Sequence, residues 1–365
     1  MVGGPQRRRR IPADKESQVS ADPADRIREL SALPIWVAPM AGGPSTAGLV
    51  AAAAQAGAFG FLAGGYKTAD AVRAEMDAVR AAGPPVFGVN LFVPGTPAGD
   101  TAAVAAYVGS LRKDAERLGA EPGEPRWDDD GWADKIALLL GDPPPVISFT
   151  FGCPPPEVIA EFRGHGTLVG ITVTSRGEAD LAMGSGADCL IVQGREAGAH
   201  SGTFINFDPE DTRPGLLGLL AEVAGTASVP LVAAGGLADA DGVATALAAG
   251  ATAVTLGTAF LRCPESGAHP LHKAALADPR RTATAITRAF SGRPARALVN
   301  RFVLDHPDAP AAYPEINNAT RPLRARAAAA ADPERMSLYA GQGFRAAADL
   351  PAAEIIGRLA AGVPR

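Results

Sequence analysis

The sequence is poor in cysteine, histidine and aromatic side chains, and it holds no long unbroken apolar run. Cys153, Cys189 and Cys263 are odd in number and far apart, which argues against a disulfide framework or a cysteine pair at metal-ligand spacing. That usage suits a reducing compartment, so the expectation is a cytoplasmic protein. A net charge of -5 leaves no basic excess to attract nucleic acid. No G-x-x-x-x-G-K-[ST] sequence occurs, so a P-loop nucleotide site is not expected. G-x-S-x-G is missing too: Ser185 has glycine on both sides but no evident Asp or His support, which argues against a hydrolase. The Ala/Gly-rich stretch 47–65 is interrupted by Gln55 and several glycines, and reads as helix, turn and strand rather than a membrane span. Four arginines near the start are followed by no apolar stretch, so they are not a secretory signal. Residues 1–33 read as a partly disordered tail, with a nucleic-acid-tethering arm as the rival reading.

What is present is a chain 47% hydrophobic and 20% charged, with short apolar runs that recur at intervals. Runs at 35–39, 59–62, 86–90, 146–150, 168–173, 189–192, 231–234 and 253–256 are mostly apolar rather than alternating. Strands buried on both faces of a parallel sheet have that character. Between them lie Ala-rich segments with helical spacing, such as 47–56, 69–82, 178–186 and 239–250, several ending at glycine. Eight strands joined by seven helical connections predict an α/β (β/α)8 TIM barrel, with a small α-rich appendage after the eighth strand.

The expected organisation is a barrel core over 34–262, interrupted by an insertion at 95–141, then an appended domain at 263–332. A C-terminal segment, 333–365, packs back on the barrel through a helix near 351–359. The insertion reads as a helix at 102–118, a Pro/Gly loop and a second helix from Trp132. Asp128, Asp129 and Asp130 precede that second helix; charge at a helix N-terminus is the plainer account, metal binding the other. Residues 264–301 read as helical and basic, and 302–320 as irregular.

In such a barrel the chemistry sits where strands end. Ala38-Pro39-Met40, Asn90, Gln193 to His200, Gly235-Gly236 and Leu256-Gly257-Thr258 all fall at those ends. Glycines after the seventh and eighth strands suit a phosphate cradle, where backbone N–H groups approach closely and the next helix offers its positive end. His200 follows a buried strand in a Gly-flanked loop, and both a general base and a hydrogen-bonded loop histidine fit that position. His269 and His272 read as surface residues, while His165 and His306 receive no role. Arg288, Arg293, Arg296 and Arg301 read as a solvated face; steering an anionic substrate is the alternative.

The motifs Ala38-Pro39-Met40, Phe87-Gly88-Val89-Asn90, Gln193-Gly194-x-Glu196-Ala197-Gly198-x-His200-x-Gly202, Ala233-Ala234-Gly235-Gly236 and Leu256-Gly257-Thr258 occur in one order along the chain. That order resembles the nitronate monooxygenases, an FMN-dependent family formerly called 2-nitropropane dioxygenases. The similarity runs from about Pro34 to Phe302, and Tyr339-Ala340-Gly341-Gln342-Gly343 is similar to the family's closing motif. The insertion, with its Arg126-Trp127-Asp128-Asp129-Asp130 run, also fits.

By that resemblance Ala38, Pro39, Met40 and Asn90 contact the flavin ring, Gln193 bonds its edge, and Gly198 lets the loop close. Gly235, Gly236, Thr255, Leu256, Gly257 and Thr258 hold the FMN phosphate. His200 is the catalytic residue, and Ser148, Thr150, Tyr339 and Gln342 are pocket residues. The implied reaction oxidises a nitronate or nitroalkane with O2 to a carbonyl compound and nitrite, with no metal, membrane or nucleic-acid partner; a homo-oligomer is left open. Two departures are Gly198-Ala199-His200 where the family more often has Gly-Gly-His, and Ser201 where arginine is frequent. The nearest competitor is an NAD(P)H-dependent FMN oxidoreductase of the enoyl-acyl carrier protein reductase or quinone reductase type. Such a reductase usually has Glu where this chain has Gln193. A non-catalytic FMN-binding barrel is the third reading.

Overall fold

The computed structural model describes residues 22–83, 86–206 and 213–364. Strands β1 (Ile35–Val37), β2 (Phe59–Ala63), β3 (Gly88–Phe92), β4 (Val146–Thr150), β5 (Leu168–Val173) and β6 (Cys189–Gln193) pair in parallel, each with the next. After the two-residue strand β7 (Ala199–His200), β8 (Leu231–Ala234) and β9 (Ala253–Leu256) continue the ring, and β9 pairs with β1 to close it. The expected eight-stranded barrel is therefore present. Four of the strands begin and end where the mostly apolar runs do, because strands buried on both faces carry few polar residues to blur the run.

The lower interior is filled by Trp36, Phe59 and Phe61, whose ring centroids lie 5.1–5.7 Å apart, with Val146, Leu168, Ile191 and Val232 around them. Ile27 joins this cluster from the helix Pro23–Glu29, which Asp22 caps by accepting from the Ala24 N–H. The expected tail thus falls partly on ordered chain, and residues 1–21 lie outside the described residues. Filling the base with aromatics leaves the upper end, where the strands terminate, as the place for a cavity.

Helices follow seven of the eight barrel strands directly, and the eighth arrives late. After β9 the chain makes a 3-10 turn (Thr258–Phe260), leaves the barrel, and supplies its covering helix at Ala352–Ala360. That helix buries Ile355, Ile356 and Leu359 in the main core. The excursion differs from the helical reading of 264–301. One helix, Pro270–Ala277, is followed by strands β10 (Thr284–Thr287) and β11 (Ala295–Leu298), and β11 lies between β10 and β7 in an antiparallel sheet. The stretch 302–320 is also more regular than its composition suggests, since the helix Glu315–Ala329 runs through Pro322. Proline removes the hydrogen bond that an N–H at 322 would make and frees nearby carbonyls. Gly123 N–H fills one of them, donating to Ala319 O at 2.8 Å.

The insertion and the appendage share one core although they are far apart in sequence. Val104, Tyr107, Leu111 and Leu118 pack with Phe290, Leu298, Phe302, Ile316 and Leu323. The insertion's first helix is broken at Leu111 into Thr101–Ser110 and Arg112–Leu118, and Trp132–Gly141 follows. No helix among the described residues is long and apolar enough to cross a membrane.

Candidate active site

The strand ends open into a cavity of about 490 Å³, a size that suits a cofactor and a small substrate. Its wall includes Ala38, Pro39, Met40, Asn90, Thr150, Gln193, Gly198, His200, Gly235, Gly236, Thr255, Leu256, Gly257, Thr258 and Tyr339. Ser148 and Gln342 are not on it. Ser148 is wholly buried behind Asn90, and Gln342 is exposed, its N–H tied to Glu196 O.

The loop after β6 is fastened at many points. Gln193 Oε1 accepts from Gly202 N–H at 2.7 Å, and Nε2 donates to His200 O at 3.3 Å, leaving a second N–H for the cavity. Glu196 accepts from the Leu216 N–H, placing a carboxylate at the start of the helix Leu216–Ala224. Ala199 and His200 pair with Arg296 and Ala295 of β11. A Cβ on Gly198 would stand 2.4 Å from Gly341 N, so that close approach of the closing motif needs glycine. Ala199, standing where glycine is frequent, has φ +60, the left-handed region that glycine enters freely.

The arginines expected on a solvated face are buried instead, because carbonyls and an aromatic ring satisfy them. Arg293 donates to Thr203 O and lies over the Phe151 ring at 3.8 Å. Arg296 donates twice to Arg195 O and once to Thr284 Oγ1. Arg301 alone of the four is exposed. His272, expected at the surface, is buried at the cavity wall with its Nε2 unpartnered. His306 bonds the buried Asp114, which also pairs with Arg335, inside the appended core.

His200 sits among Phe151, Tyr313 and Tyr339, with ring centroids 5.4–5.8 Å away, and its Nε2 is 2.8 Å from Ser291 Oγ. Ser291 Oγ donates to Arg293 O at 3.2 Å. Either atom can donate across the His200–Ser291 contact, according to which imidazole nitrogen carries the proton. Burial first, then Arg293 and Arg324, push the His200 pKa down from 6.5 to about 3. Both arginines bear a positive charge, which disfavours a second one on the ring. His200 is therefore neutral near pH 7.

Among the described residues no carboxylate lines the cavity; its charged wall residues there are Arg321 and Arg324, on the helix Glu315–Ala329. Asn90 spends its Nδ2 on Ser148 and Thr150 Oγ1, which leaves Oδ1 to accept from a ligand. Thr255 Oγ1 is buried without a partner. Gly235 and Gly236 turn at φ +97 and +73 against residues 194–197, so part of their glycine requirement comes from that packing. After β9 the positive helix end expected beside a phosphate is only a 3-10 turn. Residues that sequence reasoning missed here are Tyr66, Phe92, Phe151, Ser291 and Arg324. The run Gly64-Gly65-Tyr66 after β2 is the same glycine-rich strand end that drew attention elsewhere, and it could have been found.

A barrel with a deep, arginine-edged cavity at its strand ends, free of carboxylates among the described residues, and a neutral histidine inside it has the architecture of an enzyme that takes a small molecule. Comparison with known proteins makes this specific. The family model for nitronate monooxygenase matches residues 25–362. A nitronate monooxygenase of Pseudomonas aeruginosa is 37% identical over 352 residues, covering 91% of this chain and 97% of the relative. Another, from Paraburkholderia phytofirmans, is 36% identical, covering 89% and 91%. Among solved structures, nitroalkane oxidase from Streptomyces ansochromogenes superposes with a TM-score of 0.90 at 49% identity, covering 92% and 97%. FabK from Thermotoga maritima reaches 0.69 at 26%, covering 92% and 94%. The chain belongs to the nitronate monooxygenase family and is an oxidoreductase.

Proposed function

We propose that the protein oxidises alkyl nitronates with O2 to carbonyl compounds and nitrite, using FMN held in this cavity. The observation that carries this reading is the cavity wall, where arginines and a neutral histidine meet no carboxylate among the described residues. An anion entering it meets no repulsion, and a phosphate and a nitronate are both anions.

The residues fit FMN. The buried, unpartnered Thr255 Oγ1 and His272 Nε2 await a polar ligand, since buried polar groups are rarely left unpaired. Ala38, Pro39, Met40, Asn90 and Gln193 would hold the ring, and Gly235, Gly236, Gly257 and Thr258 the phosphate. Thr258 Oγ1 already accepts from Gly341 N–H, and its own proton remains to donate. FMN, when bound, supplies the electron transfer and the reactivity toward oxygen.

His200 then has a defined part. An imidazole with a pKa near 3 is far from the value that suits a general base at neutral pH. It removes a carbon-bound proton slowly, so the substrate enters as the preformed nitronate anion. The imidazole orients that anion, with Ser291 holding the ring in place. Turnover of nitronates at pH 7 is therefore expected to exceed that of the parent nitroalkanes by at least about 10-fold in kcat/KM, on the scale of lost acid–base catalysis. His200→Ala keeps FMN and lowers kcat/KM for the nitronate by about 10- to 100-fold, the scale of one hydrogen bond to a charged ligand, read as nitrite release. Equal rates with nitroalkane and nitronate would overturn this assignment.

A further inference from the structure

The insertion at 95–141 contributes no residue to the cavity wall, yet one of its side chains reaches the site through another residue's backbone. Asp130 Oδ1 accepts from the Tyr66 N–H at 2.9 Å, and Oδ2 lies 2.7 Å from Lys135 Nζ. Lys135 is almost wholly buried, so this carboxylate is pinned. Tyr66 itself stands at φ +66, a left-handed conformation that a non-glycine residue holds only when neighbours impose it. Held there, its ring forms part of the cavity wall, edge-on to Phe92 at 5.5 Å between centroids.

The hydroxyl of Tyr66 is committed in one direction only. Tyr313 Oη donates to Tyr66 Oη at 3.2 Å, and the Tyr313 ring is 5.7 Å from that of His200. Tyr66 has thus accepted a hydrogen bond and still carries its own proton. No acceptor for that proton occurs among the described residues. Burial raises the phenol's pKa well above its ordinary value, so the proton stays.

We propose that the Tyr66 hydroxyl donates a hydrogen bond to an oxygen of the bound nitronate, and that Asp130 is the positioning residue that aims it. The proposal rests on the nitronate reading above. It gives the insertion a role at the site and assigns substrate affinity to Tyr66, which lies outside the motifs that carry the resemblance.

The test compares the FMN-loaded wild type, Tyr66→Phe, Asp130→Ala and the double variant in steady-state oxidation of a simple alkyl nitronate. One hydrogen bond to a charged ligand predicts that Tyr66→Phe raises KM by about 10-fold and leaves kcat within about twofold. Asp130→Ala raises KM comparably in the wild-type background and by less than about twofold in the Tyr66→Phe background, because the hydroxyl it would aim is gone. An unchanged KM in Tyr66→Phe, or an equal cost of Asp130→Ala in both backgrounds, would overturn the proposal. Nitrite, a planar anion with two oxygens, gives a readout independent of turnover. Its Kd, followed through the flavin absorbance, should rise about 10-fold in Tyr66→Phe. If the wild type leaves nitronates untouched, the proposed function fails on that result alone. Tyr66 is then judged by nitrite binding, where an unchanged Kd refutes its role.

Discussion

His200 should make the fold acid-sensitive in a calculable way. Its pKa falls from 6.5 in the unfolded chain to about 3 in the folded protein, driven first by burial and then by Arg293 and Arg324. Between those values the unfolded chain binds a proton that the folded protein refuses. Stability therefore drops as pH falls below 6.5, and the loss levels off below about 3. At pH 4.5 the difference for a dry ring would be ~3 kcal/mol, from 1.36 kcal/mol per pH interval over the two intervals below 6.5. One edge of His200 faces the open cavity, and solvent there trims the expectation to about 2 kcal/mol. His200→Gln removes the titration while keeping a hydrogen-bonding side chain opposite Ser291. Urea unfolding of flavin-free wild type and variant at pH 7 and pH 4.5 isolates this contribution, since carboxylates and His272 are common to both. The wild type should lose about 2 kcal/mol more than His200→Gln on acidification. Equal losses would show that His200 is not held neutral, and the argument for a preformed anionic substrate would go with it.

Two further substitutions probe the cradle and the loop. Gly236→Val places a Cβ 2.9 Å from Glu196 Cβ at a left-handed position, so the purified variant should retain much less flavin by absorbance, and full occupancy would refute the cradle assignment. Ala199→Gly relieves a left-handed alanine and should stabilise the protein by about 1 kcal/mol, visible as a Tm rise of about 1 °C; a fall in Tm would contradict the strain argument.

The barrel was legible because its strands are short, apolar on both faces and separated by Ala-rich helices, a pattern that composition alone carries. The appended region was not. β7 is two residues long, and β11 carries Arg296, whose burial depends on acceptors at Arg195 and Thr284 that only the folded chain brings near. The helix Glu315–Ala329 was hidden by Pro322 and two asparagines. At the site, residues on strand ends could be named because the barrel fixes where strands terminate. Ser291 and Arg324 could not, and Arg293 was read as surface, since they arrive from the appended region, which approaches the site by tertiary packing rather than by any local signal. His272 was misplaced for the same reason: its helix begins only at Pro270, after the chain has folded back over the mouth. The three aspartates before Trp132 had a use that no local motif announces, because the Asp130 partners are Tyr66 and a lysine one turn further on.

The central question is whether this protein oxidises an anionic nitro compound without a pyridine nucleotide. The most direct measurement follows oxygen uptake and nitrite release from FMN-loaded protein given propionate 3-nitronate and simple alkyl nitronates, beside an NADPH-oxidation control. Nitrite formed with oxygen consumption and no NAD(P)H is the result the account requires. No nitrite, with rapid flavin reduction by NADPH, would contradict it, move the protein to the reductase branch, and make Gln193 the residue to explain.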